Sequence, residues 1–304
     1  MNQRVIRTAA LCAAFIVLVF STNNLLAWKK PTSFVNIIEV DVGANPATVK
    51  LWSTHMKKAG VAGNSYIGPI IGNGTIDTRH MNGHRDTIIF VPSQYDKSRP
   101  PEMLIWLHGH NGFNKFEKRV LRHIDELYQR GGNPIVIAVE QPWSHWTSTR
   151  TSRNGTGPFR RPGEFGEWMD AVLRVLERYN VQAKQLSSRN ITLYGHSAGG
   201  SGIMSMANSG ALDVLKPGRI IFSDSTYGRW FDVVYNKYLI RHPGTNVFVL
   251  TQQYGKPWKE MSRFMKSKKG KKASKNIHHI ALSRRQWTHK RIGDNCLLYP
   301  GKPF

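Results

Sequence analysis

The chain has 304 residues, and its 40% content of hydrophobic residues is enough for a packed core. Lysine and arginine outnumber aspartate and glutamate by 43 to 19, so the net charge of +24 favours anionic partners such as nucleic acid, acidic lipids or cell-wall polymers. Of the two cysteines, Cys12 lies in an amino-terminal segment whose cleavage would leave only Cys296, so a disulfide framework is excluded.

Residues 1–27 have the features of a secretory signal peptide. Arg4 and Arg7 give a positively charged start, an apolar stretch follows, and Ala27 offers a small residue for cleavage. The pattern predicts an exported protein that is periplasmic, secreted or associated with the cell envelope. Without cleavage, the same segment would remain as an N-terminal anchor.

The next part of the chain, residues 28–84, is expected to form a β-rich extension. Residues 33–42 are typical of a β-strand, and residues 43–83 are rich in glycine and asparagine. A regular pattern begins after this part and defines the predicted main domain, residues 85–304.

The main domain alternates apolar runs with amphipathic stretches. Strands are predicted for residues 86–92, 103–107, 134–139, 190–194, 219–222, 246–250 and 277–282. Helical spacing of apolar residues occurs over 120–127 and 164–180. This alternation predicts an α/β fold built from βαβ units, with a mostly parallel sheet.

The most informative motif follows the strand at 190–194. Gly-His-Ser-Ala-Gly-Gly, residues 195–200, matches the G-x-S-x-G nucleophile elbow, a tight turn between a strand and a helix. Such a turn exposes a serine hydroxyl at the edge of a sheet and needs small neighbours because the flanking chain passes close by. The motif therefore predicts that Ser197 is a nucleophile.

The elbow and the strand pattern together resemble the α/β-hydrolase family, over about residues 85–300. The resemblance implies a mostly parallel central sheet with helices on both faces, and an activity like that of secreted esterases and depolymerases. In this family the nucleophile, the acid and the histidine follow one another along the chain. No cofactor or metal is implied.

The resemblance also suggests where the other two catalytic residues lie. His289 follows the last predicted strand, where the family carries its catalytic base, whereas His278 and His279 fall inside that strand. Asp224 lies just after the predicted strand at 219–222. This is a known alternative position for the family's acid. Glu260, on a predicted helix among lysines, remains the competing candidate for the acid.

Two backbone N–H groups are expected to bind the oxyanion of the reaction. One belongs to Ala198, directly after the nucleophile, and the other to His110 in the loop His108-Gly109-His110, which looks like the family's His-Gly motif. His108 and His110 could also suit a zinc ion, but no carboxylate or cysteine accompanies them, so no metal site is predicted.

Uncompensated positive charge surrounds the predicted site. In the loop after residues 134–139, Trp143 and Trp146 are candidates for stacking against a sugar or acyl group, with packing under the loop as the alternative. Arg160 and Arg161 in the same loop are candidates for contacts with an anionic substrate. A second basic run, residues 256–275, is expected to be a solvated helix followed by a flexible lysine loop. No motif for nucleic-acid binding accompanies this charge, which disfavours nucleic acid as the partner.

These features lead to one main hypothesis: an exported serine hydrolase that cleaves an ester, or less readily an amide, through an acyl-enzyme. Its substrate would be a small molecule or polymer that is anionic or embedded in an anionic envelope. Two alternatives stay open. One is a catalytically silent module that binds an envelope polymer, and the other is an acyltransferase with the same catalytic residues.

Overall fold

The computed structural model describes residues 36–40, 44, 46–68, 86–110, 115–141, 159, 163–273, 275–295 and 297. All of them fall in one compact unit of the chain, residues 35–304. The predicted signal peptide and the two cysteines, Cys12 and Cys296, lie outside the described residues.

The strands of the described chain are numbered in order. They are β1 (Asn36–Val40), β2 (Gly63–Gly68), β3 (Thr87–Pro92), β4 (Glu102–Leu107), β5 (Pro134–Val139), β6 (Ile191–His196), β7 (Arg219–Ser223), β8 (Asn246–Gln252) and β9 (Ile277–Leu282). The α-helices are α1 (Pro46–Ala59), α2 (Phe116–Arg119), α3 (Ile124–Gln129), α4 (Glu164–Arg178), α5 (Gly199–Ser209), α6 (Ala211–Leu215), α7 (Trp230–Val234), α8 (Lys256–Lys266), α9 (Lys268–Ala273) and α10 (His289–Asn295). Short 3-10 turns occupy Leu121–His123, Ala183–Gln185 and Ser188–Asn190, and Tyr235–Leu239 forms a π-helical turn. In this described part of the chain, every helix is too short or too polar to span a bilayer.

The strands form a single sheet in the order β1-β2-β3-β5-β4-β6-β7-β8-β9. Strand β3 runs antiparallel to its neighbours β2 and β5, and the remaining neighbours pair in parallel. The predicted α/β-hydrolase fold, with its mostly parallel central sheet, is thereby confirmed. Because the carboxyl ends of β4 to β9 meet at one edge, the loops after them can build a common site.

Helices cover both faces of the sheet, and the strand sequences explain why. In β4, Ile105 contributes to one hydrophobic core while its neighbours Leu104 and Trp106 contribute to the core on the opposite face. Successive side chains of a strand point to opposite faces, so a continuous apolar run fills two cores at once. Helix α4 packs into the first core through Trp168, and α1 packs into the second through Trp52.

The amino-terminal part differs from the expected β-rich extension. Strands β1 and β2 are continuous with the main sheet, and a helix, α1, connects them. The helix is held by Trp52, whose fully buried ring packs against Phe90 and Phe116 with centroids 5.6 and 5.1 Å apart. The described residues of this segment therefore belong to the same layers as the rest of the sheet.

The basic run also differs from the prediction, because the expected lysine loop contains the helix α9. Ser267 precedes this helix and caps it: its hydroxyl accepts a hydrogen bond from the Gly270 N–H at 3.2 Å, and its carbonyl accepts one from Lys271 at 3.0 Å. A local cap of this kind lets a lysine-rich segment form a helical turn without an apolar stripe.

A histidine in β9 should make the protein sensitive to acid. Burial lowers the pKa of His279 from 6.5 to about 4, and its Nε2 lies 2.9 Å from the Thr251 hydroxyl. Above pH 6.5 the histidine is neutral in both the folded and the unfolded chain. Between pH 6.5 and about 4 only the unfolded chain takes up the proton, so stability falls as pH falls, by at most about 1.4 kcal/mol per pH unit.

We therefore expect His279→Gln to lose less free energy of unfolding than the wild type between about pH 7 and about pH 4.5. Urea denaturation at the two pH values measures this difference. The matched control is His278→Gln, which changes an exposed neighbour on the other face of β9 and should keep the wild-type pH dependence. An unchanged pH dependence in His279→Gln would contradict the assignment.

Candidate active site

Ser197 lies at the turn between β6 and α5. Its backbone has a φ angle of +52°, in the left-handed region that residues other than glycine rarely adopt, and its N–H donates to the Ser223 carbonyl at 3.1 Å. A single residue in this region costs about 1 to 3 kcal/mol and persists only where its surroundings hold it. The strained turn is the geometry that the elbow motif predicts.

The start of α5 packs closely against the turn after β7. A Cβ atom added to Gly200 would lie 2.1 Å from the Ser225 carbonyl oxygen and 3.0 Å from Ser225 Cβ. The neighbouring chain is backbone and cannot move aside as a flexible side chain could. Gly200, directly after the G-x-S-x-G motif, is therefore required for the close approach of the two segments that carry Ser197 and Asp224.

We expect Gly200→Ala to destabilise the protein by at least about 1 to 3 kcal/mol, the usual cost of overpacking. Gly166 in α4 supplies the control, since a Cβ added there meets no atom within 4 Å. Gly166→Ala should be neutral or stabilising because alanine favours helices by up to about 1 kcal/mol. Thermal unfolding of both variants measures the contrast, and similar melting temperatures would contradict the packing argument.

Asp224 follows β7, and hydrogen bonds hold its backbone N–H and both carboxylate oxygens. Its backbone N–H donates to the Leu250 carbonyl at 2.7 Å, and its Oδ1 accepts from the Gln252 N–H at 3.1 Å. Its Oδ2 lies 2.6 Å from His289 Nδ1. Only 3% of the Asp224 side chain is exposed, so this carboxylate is oriented by strand backbone rather than by water.

His289 is the first residue of α10 and comes just after β9. Its Nδ1–H donates to Asp224, which leaves Nε2 as the nitrogen available to a substrate or to a hydroxyl. The loop before it is tied to the sheet, because Gln252 Nε2 donates to the Trp287 carbonyl at 2.9 Å. Gln252 thus contacts both the acid and the loop of the histidine, a role that the sequence analysis missed.

A second imidazole supports the first. The ring of His196, the residue before Ser197, lies 4.6 Å from the His289 ring at an interplanar angle of 30°. Burial, with the charges of Arg119 and His289, lowers the pKa of His196 well below its usual value, so this ring stays neutral. Its Nδ1–H donates to the Ser223 carbonyl at 2.9 Å. His196 therefore provides an uncharged ring against which the His289 imidazole packs.

Tyr227 lies beside the candidate histidine. Its ring meets His289 edge-on, with centroids 6.4 Å apart. Burial and the charge of Asp224 raise the pKa of Tyr227 to about 12, so the phenol remains protonated at neutral pH. No sequence pattern indicates this ring contact, although Tyr227 stands three residues after the predicted acid.

The two expected oxyanion donors lie on segments that converge at Ser197. Ala198 precedes the first residue of α5, where the N–H groups of a helix have no acceptor within the helix. His110 is exposed in the loop after β4, directly after Gly109. A Cβ atom on Gly109 would lie 2.9 Å from Ser197 Cβ, so this loop passes against the nucleophile.

His108 determines the path of the same loop. Its buried Nε2 accepts a hydrogen bond from the Gln141 N–H at 2.7 Å, and its Nδ1–H donates to the Gly109 carbonyl at 2.6 Å. Both ring nitrogens are therefore used by backbone groups, which does not fit a zinc ligand. Among the described residues, no group of three or more potential metal-binding side chains is found.

The competing candidate for the acid lies elsewhere. Glu260 in α8 pairs with Arg263 in the same helix at 3.3 Å. The structure thus brings Ser197, Asp224 and His289 to one edge and leaves Glu260 in a surface ion pair. Trp143, Trp146, Arg160 and Arg161 lie outside the described residues, so their proposed contacts remain predictions.

No model of a known protein family matches the chain, and no curated protein sequence matches it. Among solved structures, the chain is similar to the feruloyl esterase module from Clostridium thermocellum, at 12% identity and a TM-score of 0.48, over 73% of this chain and 83% of that one. It is also similar to an esterase from Pyrobaculum calidifontis, at 13% identity, a TM-score of 0.43 and coverages of 78% and 82%. An IroE-like serine hydrolase from Shewanella oneidensis matches at 15% identity, a TM-score of 0.43 and coverages of 73% and 75%.

Proposed function

We propose that the protein is an exported serine hydrolase that cleaves esters through an acyl-enzyme. The observation that carries this proposal is the buried carboxylate of Asp224, 2.6 Å from His289 Nδ1, beside a serine on a strained elbow. A histidine with no catalytic role is not expected to face a buried carboxylate that the backbone of β8 holds in one orientation. Nucleophile, acid and base also follow one another along the chain in the order found in α/β-hydrolases.

In the first half of the reaction, Ser197 Oγ attacks the carbonyl carbon of the ester while His289 Nε2 takes the hydroxyl proton. Asp224 keeps the proton on Nδ1 and stabilises the imidazolium cation. The N–H groups of Ala198 and His110 donate to the oxyanion. The tetrahedral intermediate then collapses, the bond to the alcohol breaks, and His289 returns its proton to the leaving oxygen.

In the second half, His289 removes a proton from water, which attacks the acyl-serine. Collapse of the new intermediate releases a carboxylic acid and restores the Ser197 hydroxyl. No metal or cofactor takes part in this scheme. If a second alcohol replaced the water, the same residues would carry out acyl transfer, so the two activities are separated by the products formed.

The substrate is proposed to be anionic or held in an anionic envelope, because the chain carries a net charge of +24. The amino-terminal sequence supports export to such an envelope. The net charge and the amino-terminal sequence bear on the location of the enzyme and the charge of its substrate. The residues at the elbow bear on the reaction that it catalyses.

A fluorophosphonate probe tests the central claim, because it forms a covalent bond with an activated serine. We expect stoichiometric labelling of the wild type, located at Ser197 by peptide mass spectrometry, together with turnover of short nitrophenyl esters. An unlabelled, folded wild type would instead support the silent binding module. Product analysis with and without added alcohols separates hydrolysis from acyl transfer.

Salt dependence tests the proposed anionic substrate. Raising salt from about 50 to about 200 mM shortens the Debye length to below roughly 10 Å, so long-range attraction weakens. We expect kcat/KM to fall more for a negatively charged polymeric ester than for a small neutral ester. Equal salt sensitivity of the two substrates would show that the basic surface has no part in catalysis.

A further inference from the structure

A cavity of about 510 Å³ lies far from the elbow, at the amino ends of β8 and β9. Thr245, Val247, Asn276 and Ile277 line it where these strands begin, whereas Asp224 and His289 follow the carboxyl ends of strands in the same sheet. A strand of this length spans about 20 Å, so the cavity opens at the opposite edge of the sheet. It cannot serve the chemistry at Ser197 directly.

The interior of the cavity is apolar. Leu239, Val247 and Ile277 are buried hydrophobic residues of the core that also line it, and the half-buried Ala273 of α9 forms part of the wall. At the edge, Ile240 is 55% exposed, which is unusual for so large an apolar side chain. The volume is within the range of about 300 to 1,000 Å³ that small-molecule sites occupy.

The mouth of the same cavity is strongly positive. Lys268, Lys269, Lys272 and Lys275 all line it. Among the residues that the structure describes, none of the four forms an ion pair with a carboxylate, and Lys269 donates to the neutral amide oxygen of Asn236 at 2.8 Å. Lysine stems pack along apolar surface while their ammonium groups stay at its rim, so this mouth combines apolar walls with uncompensated charge.

We propose that this cavity binds a single-chain amphiphilic anion, with its aliphatic chain in the interior and its carboxylate or phosphate head among the lysines. An apolar interior alone would accept a neutral chain equally well, and a basic surface alone would accept any polyanion. The coincidence of both at one opening favours a ligand that carries both. The site is independent of the proposed hydrolase activity, because it lies at the other edge of the sheet.

Isothermal titration calorimetry with monomeric decanoate and decyl phosphate, below their micelle concentrations, tests the proposal. Decanol serves as the neutral ligand, and acetate and inorganic phosphate serve as heads without chains. We expect both amphiphilic anions to bind one site with much higher affinity than decanol or the isolated heads. Absence of saturable binding, or equal affinity for decanol, would overturn the proposal.

A pair of matched double variants locates the site. Lys268→Gln with Lys272→Gln removes two cavity lysines and should weaken decanoate binding by about tenfold while leaving decanol unchanged. Lys266→Gln with Lys271→Gln changes two exposed lysines outside the cavity lining and produces the same net charge, so it should bind decanoate like the wild type. Equal losses in both variants would assign the binding to the overall field and contradict the cavity.

A third variant tests the cavity interior, and a vesicle experiment tests a membrane as the partner. Ala273→Phe narrows the cavity and should weaken decanoate and decanol alike, which distinguishes the interior from the charged mouth. Sedimentation with vesicles of an anionic phospholipid examines a membrane as the alternative partner. Binding to vesicles without binding to monomeric amphiphiles would replace the proposal with surface attachment.

Discussion

Ser197→Ala is expected to fold normally and to lower kcat/KM for a short ester by about 10⁴- to 10⁶-fold. Loss of a nucleophile that acts with its base as a unit removes nearly all covalent catalysis, and only binding and oxyanion stabilisation remain. Ser197 is half-buried and belongs to neither hydrophobic core, so the free energy of unfolding should change little. Steady-state kinetics and thermal unfolding on the same preparation measure both quantities.

The control for this experiment is Ser209→Ala, which removes a hydroxyl at the far end of α5, the helix that follows the elbow. Its ester turnover should equal that of the wild type, and fluorophosphonate labelling should persist. Near wild-type activity of Ser197→Ala would end the serine-hydrolase proposal. A fall in activity that follows a loss of folded protein would show that the hydroxyl has a structural role instead.

Asp224→Asn is expected to lower kcat by about 10⁴-fold with a small change in KM. An amide at this position can hold the histidine in the wrong tautomer and cannot stabilise the imidazolium cation that forms during the reaction. The Gln252 N–H still has an oxygen to donate to, so the local structure should survive. Steady-state kinetics over a range of pH measures the loss.

Glu260→Gln is the matched comparison, because it also replaces a carboxylate with an amide. Glu260 pairs with Arg263 at the surface, and an exposed pair contributes about 0 to 1 kcal/mol to stability. Its kcat should therefore remain close to that of the wild type. A large loss in Glu260→Gln together with a small one in Asp224→Asn would assign the acid to Glu260.

The central strands could be predicted because they are buried on both faces, which leaves a continuous apolar run in the sequence. Residues 103–107 and 134–139 are such runs, and they became β4 and β5. Helix α1 could not be predicted in the same way. The packing of Trp52 against Phe90 and Phe116 depends on residues far away in the chain, and no local pattern marks it.

The parts of the site that follow from chain order were accessible to sequence analysis. The elbow is a local motif, and Asp224 directly follows a predicted strand at a position where the resembling family also carries its acid. The supporting contacts were not accessible. Gln252 acts through hydrogen bonds, and His196 and Tyr227 act through ring contacts with His289. These contacts join separate loops, and the residue types alone carry no signal.

The enclosed position of His196 has a consequence for how related sequences can vary. The elbow motif leaves the residue before the serine open, yet a Cβ atom on Gly293 of α10 would lie 2.7 Å from His196 Cε1. A bulkier residue at position 196 would push away the helix that begins with His289, and a smaller one would leave a void beneath its imidazole. Substitutions at 196 and 293 should therefore occur together among relatives, although the two positions are far apart in the chain.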